Sequence, residues 1–395
     1  MKLHNAAPFD SRAASETFFD SFPARPAVFA LFGALDSLAP PPPYLGRTRN
    51  LRRRLARLLR PARSDSRMLN LREFTGRIDY QLVGPGLEAS WLVYQLQRHY
   101  YPRQYRQRLR LRTPVLLKLN LRNRFPRCYP TRRLAADGSL YYGPFPSRVA
   151  AEHFSAEFLS FFKIRRCVEE LDPDPAHPGC IYSQMQMCLA PCFRGCTDEE
   201  YQQEVGRVAD FLDGGGHTLL RGLETERAQA AAALKFEQAG IIHRKLEKVH
   251  TVLRLKPELA RDLRDLHGVV VEPGAEAQNV ALFRVCAGEL RGPVALSLDE
   301  NVPSPLPLDR QLRTLLDSLD ASSMAPTGLP PWEHLSLLAR WYYSSFREGE
   351  LLMLDPARDI PYARLIRLCR KVLAGEGTSK ERGPSGPQSP YKRNC

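Results

Sequence analysis

Four cysteines crowd the stretch from Cys167 to Cys192, with twelve, seven and three residues between successive thiols. The first interval, Val168 to Gly179, holds four prolines or glycines and no apolar periodicity, so it reads as a loop. A chain folded back in this way brings several sulfurs to one place. Soft thiolates that converge suit an iron–sulfur cluster or zinc. Spacing alone does not separate the two, since both accept four thiolates. Reduced, buried thiols with a packing role are the third reading. Cys196 lies just beyond and has no assigned part, and Cys128, Cys286, Cys369 and Cys395 stand alone. The nine histidines are scattered without ligand spacing.

A chain of 395 residues exceeds one core, and two to four domains are expected. No apolar run is long enough to cross a bilayer, and the N-terminus lacks the apolar core of a secretory signal. A reducing cytoplasm is therefore the expected location, where nine cysteines read as ligands or free thiols. The formal charge of +14 favours a polyanionic partner. Its distribution is more informative. Residues 44–133 carry 23 Lys and Arg against 4 Asp and Glu, nearly all of the bases Arg. Arg makes bidentate phosphate contacts and stacks on bases, so this region is expected to meet nucleic acid and not a membrane surface; the alternative is a solvated basic face.

Read in order, residues 1–20 are expected to be a weakly ordered lead-in. Ala27 to Phe32 is an apolar strand-type run, and Tyr44-Leu45-Gly46 a second short strand. After them, leucines at 51, 55, 58 and 59 share one helical face and arginines take the other, with Asn50 as N-cap. Val115 to Leu119 is strand-like, and Asp137-Gly138 marks a turn. Arginines alternate with aromatics from Arg124 to Phe145, which suits stacking and phosphate contact. Thr197-Asp198-Glu199-Glu200 reads as a helix start. A long helical pattern follows from Thr218 to Leu253. Gly268–Val271, Val280–Val285 and Pro293–Leu298 read as an antiparallel meander, and the tail from Gly375 is Gly, Ser, Pro and Lys rich.

Pro26-Ala-Val-Phe29 followed by Tyr44-Leu-Gly-Arg-Thr-Arg-Asn-Leu-Arg-Arg-Arg-Leu55 resembles the GIY-YIG nuclease core of the UvrC family, the incision component of the bacterial ABC excinuclease. The resemblance extends through Phe125-Pro-Arg-Cys-Tyr-Pro-Thr-Arg-Arg133, Tyr141-Tyr-Gly-Pro-Phe-Pro-Ser147 and the Cys188-Leu-Ala-Pro-Cys192 ending. It implies metal-dependent phosphodiester hydrolysis. It assigns Tyr44 to the second-motif tyrosine, Arg47 to a basic position where the family has Lys, and Arg54 to the catalytic arginine. Phe29 takes the place of the first-motif tyrosine and Val93 the place of the glutamate that holds the divalent metal. Glu88 lies five residues earlier, about 140° around a helix, and points elsewhere. Impaired nuclease chemistry is therefore expected, with Mg or Mn required only if the site is active.

The same resemblance implies a [4Fe–4S] cluster on Cys167, Cys180, Cys188 and Cys192, with zinc as the alternative. It implies DNA contact by Arg49, Arg52, Arg53, Arg57, Arg132 and Arg133. It also implies a UVR-like helical hairpin that meets a UvrB-like helicase subunit, with Leu234, Phe236, Glu237 and Ala239 matching; His243 and Arg244 depart from the motif.

The expected fold is α+β and multidomain: a GIY-YIG-like mixed domain over residues 21–105, a basic and four-cysteine region over 106–200, and a UVR-like helical region over 201–256. A degenerate RNase H-like region follows over 257–372, then a disordered tail over 373–395. The Asp-Ile-Ser-His motif of the family's second nuclease is missing from the sequence, and so is its helix–hairpin–helix end. The expected function is a truncated, degenerate UvrC-like DNA-binding protein of nucleotide excision repair. The alternatives are an active single-site nicking endonuclease and a zinc-containing nucleic-acid-binding scaffold.

Overall fold

The computed structural model describes residues 2–12, 16–33, 41–61, 69–299, 306–321 and 330–375. The tail expectation for 376–395 lies outside them. The order begins with strand β1 (Asn5–Pro8), β2 (Ala27–Gly33), β3 (Tyr44–Thr48) and helix α1 (Leu51–Leu59). Next come β4 (Thr75–Leu82), α2 (Leu87–Tyr100), the single turn α3 (Tyr105–Arg108), β5 (Val115–Leu119), β6 (Cys128–Thr131) and β7 (Leu140–Phe145). Then follow α4 (Arg148–Phe158), the turn α5 (Ile181–Gln184), α6 (Asp198–Asp213), α7 (His217–Ala232) and α8 (Phe236–Leu255). The remaining elements are β8 (Arg261–Asp262), β9 (His267–Pro273), β10 (Asn279–Cys286), β11 (Glu289–Ser297), α9 (Leu308–Ala321), α10 (Trp332–Tyr342), β12 (Glu350–Leu354) and α11 (Tyr362–Leu373).

Three antiparallel sheets result, ordered β1-β4-β2-β3, β6-β5-β7-β8 and β11-β10-β9-β12. In the first, the alternation of a strand sorts β2 onto two faces. Ala27, Phe29 and Leu31 pack with α1, while Val28 and Ala30 pack with α2. Helix α1 buries Leu51, Leu55, Leu58 and Leu59, and the Asn50 side chain accepts the Arg53 N–H at its start. The first residues differ from the expected lead-in. Strand β1 pairs along the edge of β4, and Leu3 and Phe9 are buried against the sheet. The buried anchors Leu3, Phe9 and Phe19 are widely spaced and do not alternate, so the sequence shows no strand period there.

Helix α2 carries two apolar stripes. Ala89, Val93 and Leu96 face the first sheet, and Leu87, Trp91 and Tyr94 face the third. Each stripe follows the i, i+4, i+7 spacing of one helical face. Trp91 meets Phe283 and the His334 ring, the latter with ring centroids 4.8 Å apart. The N–H groups of Leu87 and Glu88, orphans of the first helical turn, are accepted by the two oxygens of Glu272 on β9. Backbone approach here is close enough to require glycine. A Cβ on Gly84 would stand 2.0 Å from the Pro273 carbonyl oxygen, and one on Gly86 2.3 Å from the Glu272 carboxyl.

The second sheet packs under α4, α6 and α8, around Leu117, Tyr142, Phe154, Phe158, Tyr201, Phe211 and Val249. Thr197 and Glu200 form the capping box that starts α6. The helical pattern expected to run from Thr218 to Leu253 is two helices. It breaks at Leu234, held at φ 58°, where the Leu234 and Lys235 N–H groups return to the carbonyls of Ala231 and Ala230. Among the described residues no helix is long and apolar enough to cross a membrane.

Glu272 is fully buried, and burial raises its carboxyl to about 8 against two backbone N–H bonds that pull it down. Glutamate in the unfolded chain ionises near 4.5. A raised folded-state value means that its contribution is whole below about pH 4.5 and is lost as pH rises through about 8. The stability difference between wild type and Glu272→Gln, from denaturant titrations across this window, is expected to shrink with rising pH. A flat difference would contradict the assignment.

Candidate functional site: a divided nuclease-like centre and a cysteine loop

The two faces of the first sheet divide the nuclease-like residues. On the α1 face, Tyr44 leans against Phe29 with ring centroids 6.2 Å apart, and Arg54 donates from Nη2 to the Tyr44 hydroxyl at 3.3 Å. Arg54 Nε is buried and has no acceptor among the described residues. Phe29 is wholly buried, and its ring lies across Gly46, where a Cβ would stand 2.6 Å from it. The ring is thus core, with no hydroxyl to offer. On the α2 face, Arg47 donates to Ser90 Oγ at 2.5 Å, and desolvation lowers its pKa. Arg47 and Val93 line one cleft of about 580 Å³. The structure brings Tyr44 to Arg54 and Arg47 to Val93, with the sheet between the pairs.

A hard divalent ion needs oxygen ligands, and these residues do not fit one. Val93 supplies no oxygen. Glu88 is turned back on its own turn, accepting the Gly84 N–H at 2.6 Å, and burial raises its pKa. It does not bring a carboxylate to the position of Val93.

The other motif arginines are spread over the surface. Arg53 and Arg57 are exposed on α1, while Arg52 donates to the Phe22 carbonyl at 2.8 Å. Arg49 reaches Glu348 at 3.4 Å. Arg132 and Arg133 are exposed after β6, Arg132 donating to the Thr113 carbonyl. Leu234 and Phe236, at the tip between α7 and α8, are 72% and 69% exposed. Glu237 is exposed beside them and Ala239 is half-buried.

The cysteine loop is hung from Tyr201 of α6. The Tyr201 hydroxyl accepts the Arg165 N–H and donates to the Pro126 carbonyl, both at 2.8 Å. Arg165 then donates to the carbonyls of Cys167 and Glu169. Beyond Gly179, left-handed backbone at Gln186, Ala190 and Arg194 reverses the chain repeatedly, a conformation disfavoured for side-chain-bearing residues. The Ala190 N–H points at Cys188 Sγ at 3.3 Å. Burial raises the Cys188 thiol to about 11, and the charges of Cys167, Cys180 and Cys192 add to the rise, so the four sulfurs share one neighbourhood. They are free thiols. Among the described residues no three His, Cys, Asp or Glu side chains close into a ligand shell. Cys196 sits beside the group, near Cys192, Asp198 and Glu200.

Sequence reasoning missed the far wall of the cleft. It is made by Arg340 and Trp341 of α10 and by Arg347 and Glu348 beyond it. No local motif marks them; the aromatic run Trp341-Tyr342-Tyr343 was the visible signal.

Residues 115–211 match the family described as the UvrC/Cho excinuclease middle domain. The chain is 27% identical over 325 residues to UvrABC system protein C of Proteus mirabilis (strain HI4320), covering 82% of this chain and 51% of that protein. It is 29% identical to the protein of the same name from Carboxydothermus hydrogenoformans (63% of this chain, 41% of that one). It is 30% identical to that from Alcanivorax borkumensis (58% and 37%). The chain thus spans about half the length, or less, of these curated relatives. No solved structure matches it.

Tyr201→Phe removes the hydroxyl that satisfies the Arg165 N–H and the Pro126 carbonyl. It is expected to cost about 1–3 kcal/mol of stability, as for a buried donor and acceptor left unpaired. Denaturant unfolding measures it; a loss near zero would show that Tyr201 does not hold the loop.

Proposed function

The chain belongs to the UvrC family, and on that premise we propose that it is a DNA-binding protein of nucleotide excision repair whose GIY-YIG-like nuclease site is impaired. The observation that carries this reading is Val93 beside Arg47, an apolar side chain at the position that the resemblance gives to the metal-holding glutamate, in a basic cleft whose lining carboxylate, Glu348, is paired with Arg49. The division of Tyr44 and Arg54 from Arg47 by the sheet supports it further. The first sheet with α1 and α2 reads as the GIY-YIG-like domain, and the meander β9–β10–β11 with its flanking helices as the degenerate RNase H-like part.

What remains is binding chemistry. The exposed arginines of α1 and of the segment after β6 offer phosphate contacts that position a duplex without reading its sequence. Cys167, Cys180, Cys188 and Cys192 would hold a [4Fe–4S] cluster, with zinc as the alternative; the soft donor set in one neighbourhood supports the fit. Such a group, when bound, would cross-link a loop that otherwise hangs from α6. The exposed apolar tip at Leu234 and Phe236, with Glu237 and Ala239, supports docking to a UvrB-like helicase subunit through the UVR-like hairpin.

The test uses protein purified anaerobically and analysed for iron, sulfide and zinc. Its binding and nicking of a labelled duplex bearing one bulky lesion are followed with Mg or Mn, with and without the helicase-type partner, for wild type and Tyr44→Phe. Binding without incision, and iron with sulfide in equal amounts, are expected. Incision that disappears in Tyr44→Phe would overturn the impaired site and favour the active nickase. Zinc without iron would favour the nucleic-acid-binding scaffold.

A further inference from the structure

The cleft that contains Val93 is built by two parts of the chain that lie far apart in sequence. Its near wall is Arg47 of β3 with Ser90 and Val93 of α2, and its far wall is Arg340 and Trp341 of α10. Arg340 is anchored by the carbonyls of Leu109 and Arg110, the first at 2.9 Å, so its guanidinium is fixed, and among the described residues no carboxylate pairs with it. Arg47 likewise has a neutral partner, Ser90. Desolvation, and then the charges of Arg47 and Arg112, hold the Arg340 pKa below its usual value, so three guanidiniums share one field. The neighbouring cations Arg49 and Arg347 are answered at the rim by Glu348 and Glu350. Cations gathered where the nearest carboxylates are already paired repel one another, and a bound anion relieves that repulsion.

A second observation points to the same ligand. Trp341 is only 6% exposed and lines the cleft, and among the described residues its Nε1–H has no acceptor. That nitrogen lies 3.4 Å from where a Cβ on Gly86 would stand, a point also 2.3 Å from the Glu272 carboxyl, whose two oxygens are taken by the Leu87 and Glu88 N–H groups. A buried N–H donor without a partner costs about 1–3 kcal/mol, and an anionic oxygen in the cleft would answer it. A glutamate in place of Val93 would instead bring a carboxylate in among the arginines.

We infer that this cleft seats a backbone phosphate of a DNA strand, gripped by Arg47 from the nuclease-like sheet and by Arg340 and the Trp341 indole from the C-terminal part. Cationic arginines thus take the charge-balancing place that a metal ion occupies in a working nuclease, and the phosphodiester is held without being cut. This rests on the DNA-binding reading above and adds to it a specific site and the residues from α10.

The test is fluorescence anisotropy of a labelled DNA duplex with the full chain, in EDTA, across a salt series. Arg340→Gln is expected to weaken binding about tenfold and to lower the salt slope by about one, as for the loss of one phosphate contact. Because Arg340 also anchors the turn at 109–110, Val93→Glu provides an independent arm. It leaves the anchor in place and is expected to weaken binding by adding a negative charge to the cleft. Arg358→Gln, at an 83% exposed side chain paired with Asp355, is expected to leave both quantities unchanged. Thermal melts verify that each variant folds. Folded Arg340→Gln and Val93→Glu proteins with wild-type affinity and slope would overturn the inference while leaving the DNA-binding reading standing. A wild-type chain that binds no duplex would overturn both.

Discussion

The buried carboxyl of Glu272 at the start of helix α2 is the contact on which the arrangement of this molecule depends. It joins the third sheet to the first through two backbone N–H groups that a helix start cannot satisfy by itself. It also sets the register of the docking, because Gly84 and Gly86 admit the Pro273 carbonyl and the carboxyl only at this separation. Around it the apolar residues of α2 do the larger energetic work. Leu87, Trp91 and Tyr94 bury against Phe283, Leu335 and Trp341, and full burial of one such side chain is worth about 1.5–3 kcal/mol. The apolar stripe provides affinity between the sheets, and the carboxyl provides position.

That position decides what the nuclease-like cleft can be. With the third sheet docked, α10 stands across from β3 and brings Arg340 and Trp341 over Val93. Val93 offers no oxygen there and the arginines line the cleft, which is the chemistry on which the proposed phosphate seat rests. On the proposed reading, an apolar residue at position 93 and a cleft closed from the other end of the chain belong together, in a site that holds a phosphate without cutting it.

Much of this was legible in the sequence where local rules dominate. The amphipathic α1, its Asn50 cap, the strand β5 at Val115–Leu119 and the capping box of α6 follow from periodicity and side-chain hydrogen bonding over a few residues. The second apolar stripe of α2 was in plain view as Leu87, Trp91 and Tyr94, yet a stripe does not name its partner. What stayed hidden depends on contacts across more than a hundred residues. Glu272 sits in a strand of valines with no local feature to mark it, yet it is fully buried. Arg340 is one arginine among many until the docking places it in the cleft. The separation of Tyr44 from Arg47 is set by strand alternation, which a motif read as a string of neighbours does not display.

Hydrogen exchange at the Leu87 and Glu88 amides tests the docked arrangement most directly. Both are first-turn N–H groups that would exchange freely in an isolated helix, and both are held here by Glu272. Slow exchange at these two amides in the wild-type chain, lost together in Glu272→Ala while the amides of β2 and β4 stay protected, is the predicted result. Fast exchange at Leu87 and Glu88 in the folded wild-type protein would contradict the docking, and with it the cleft that α10 completes.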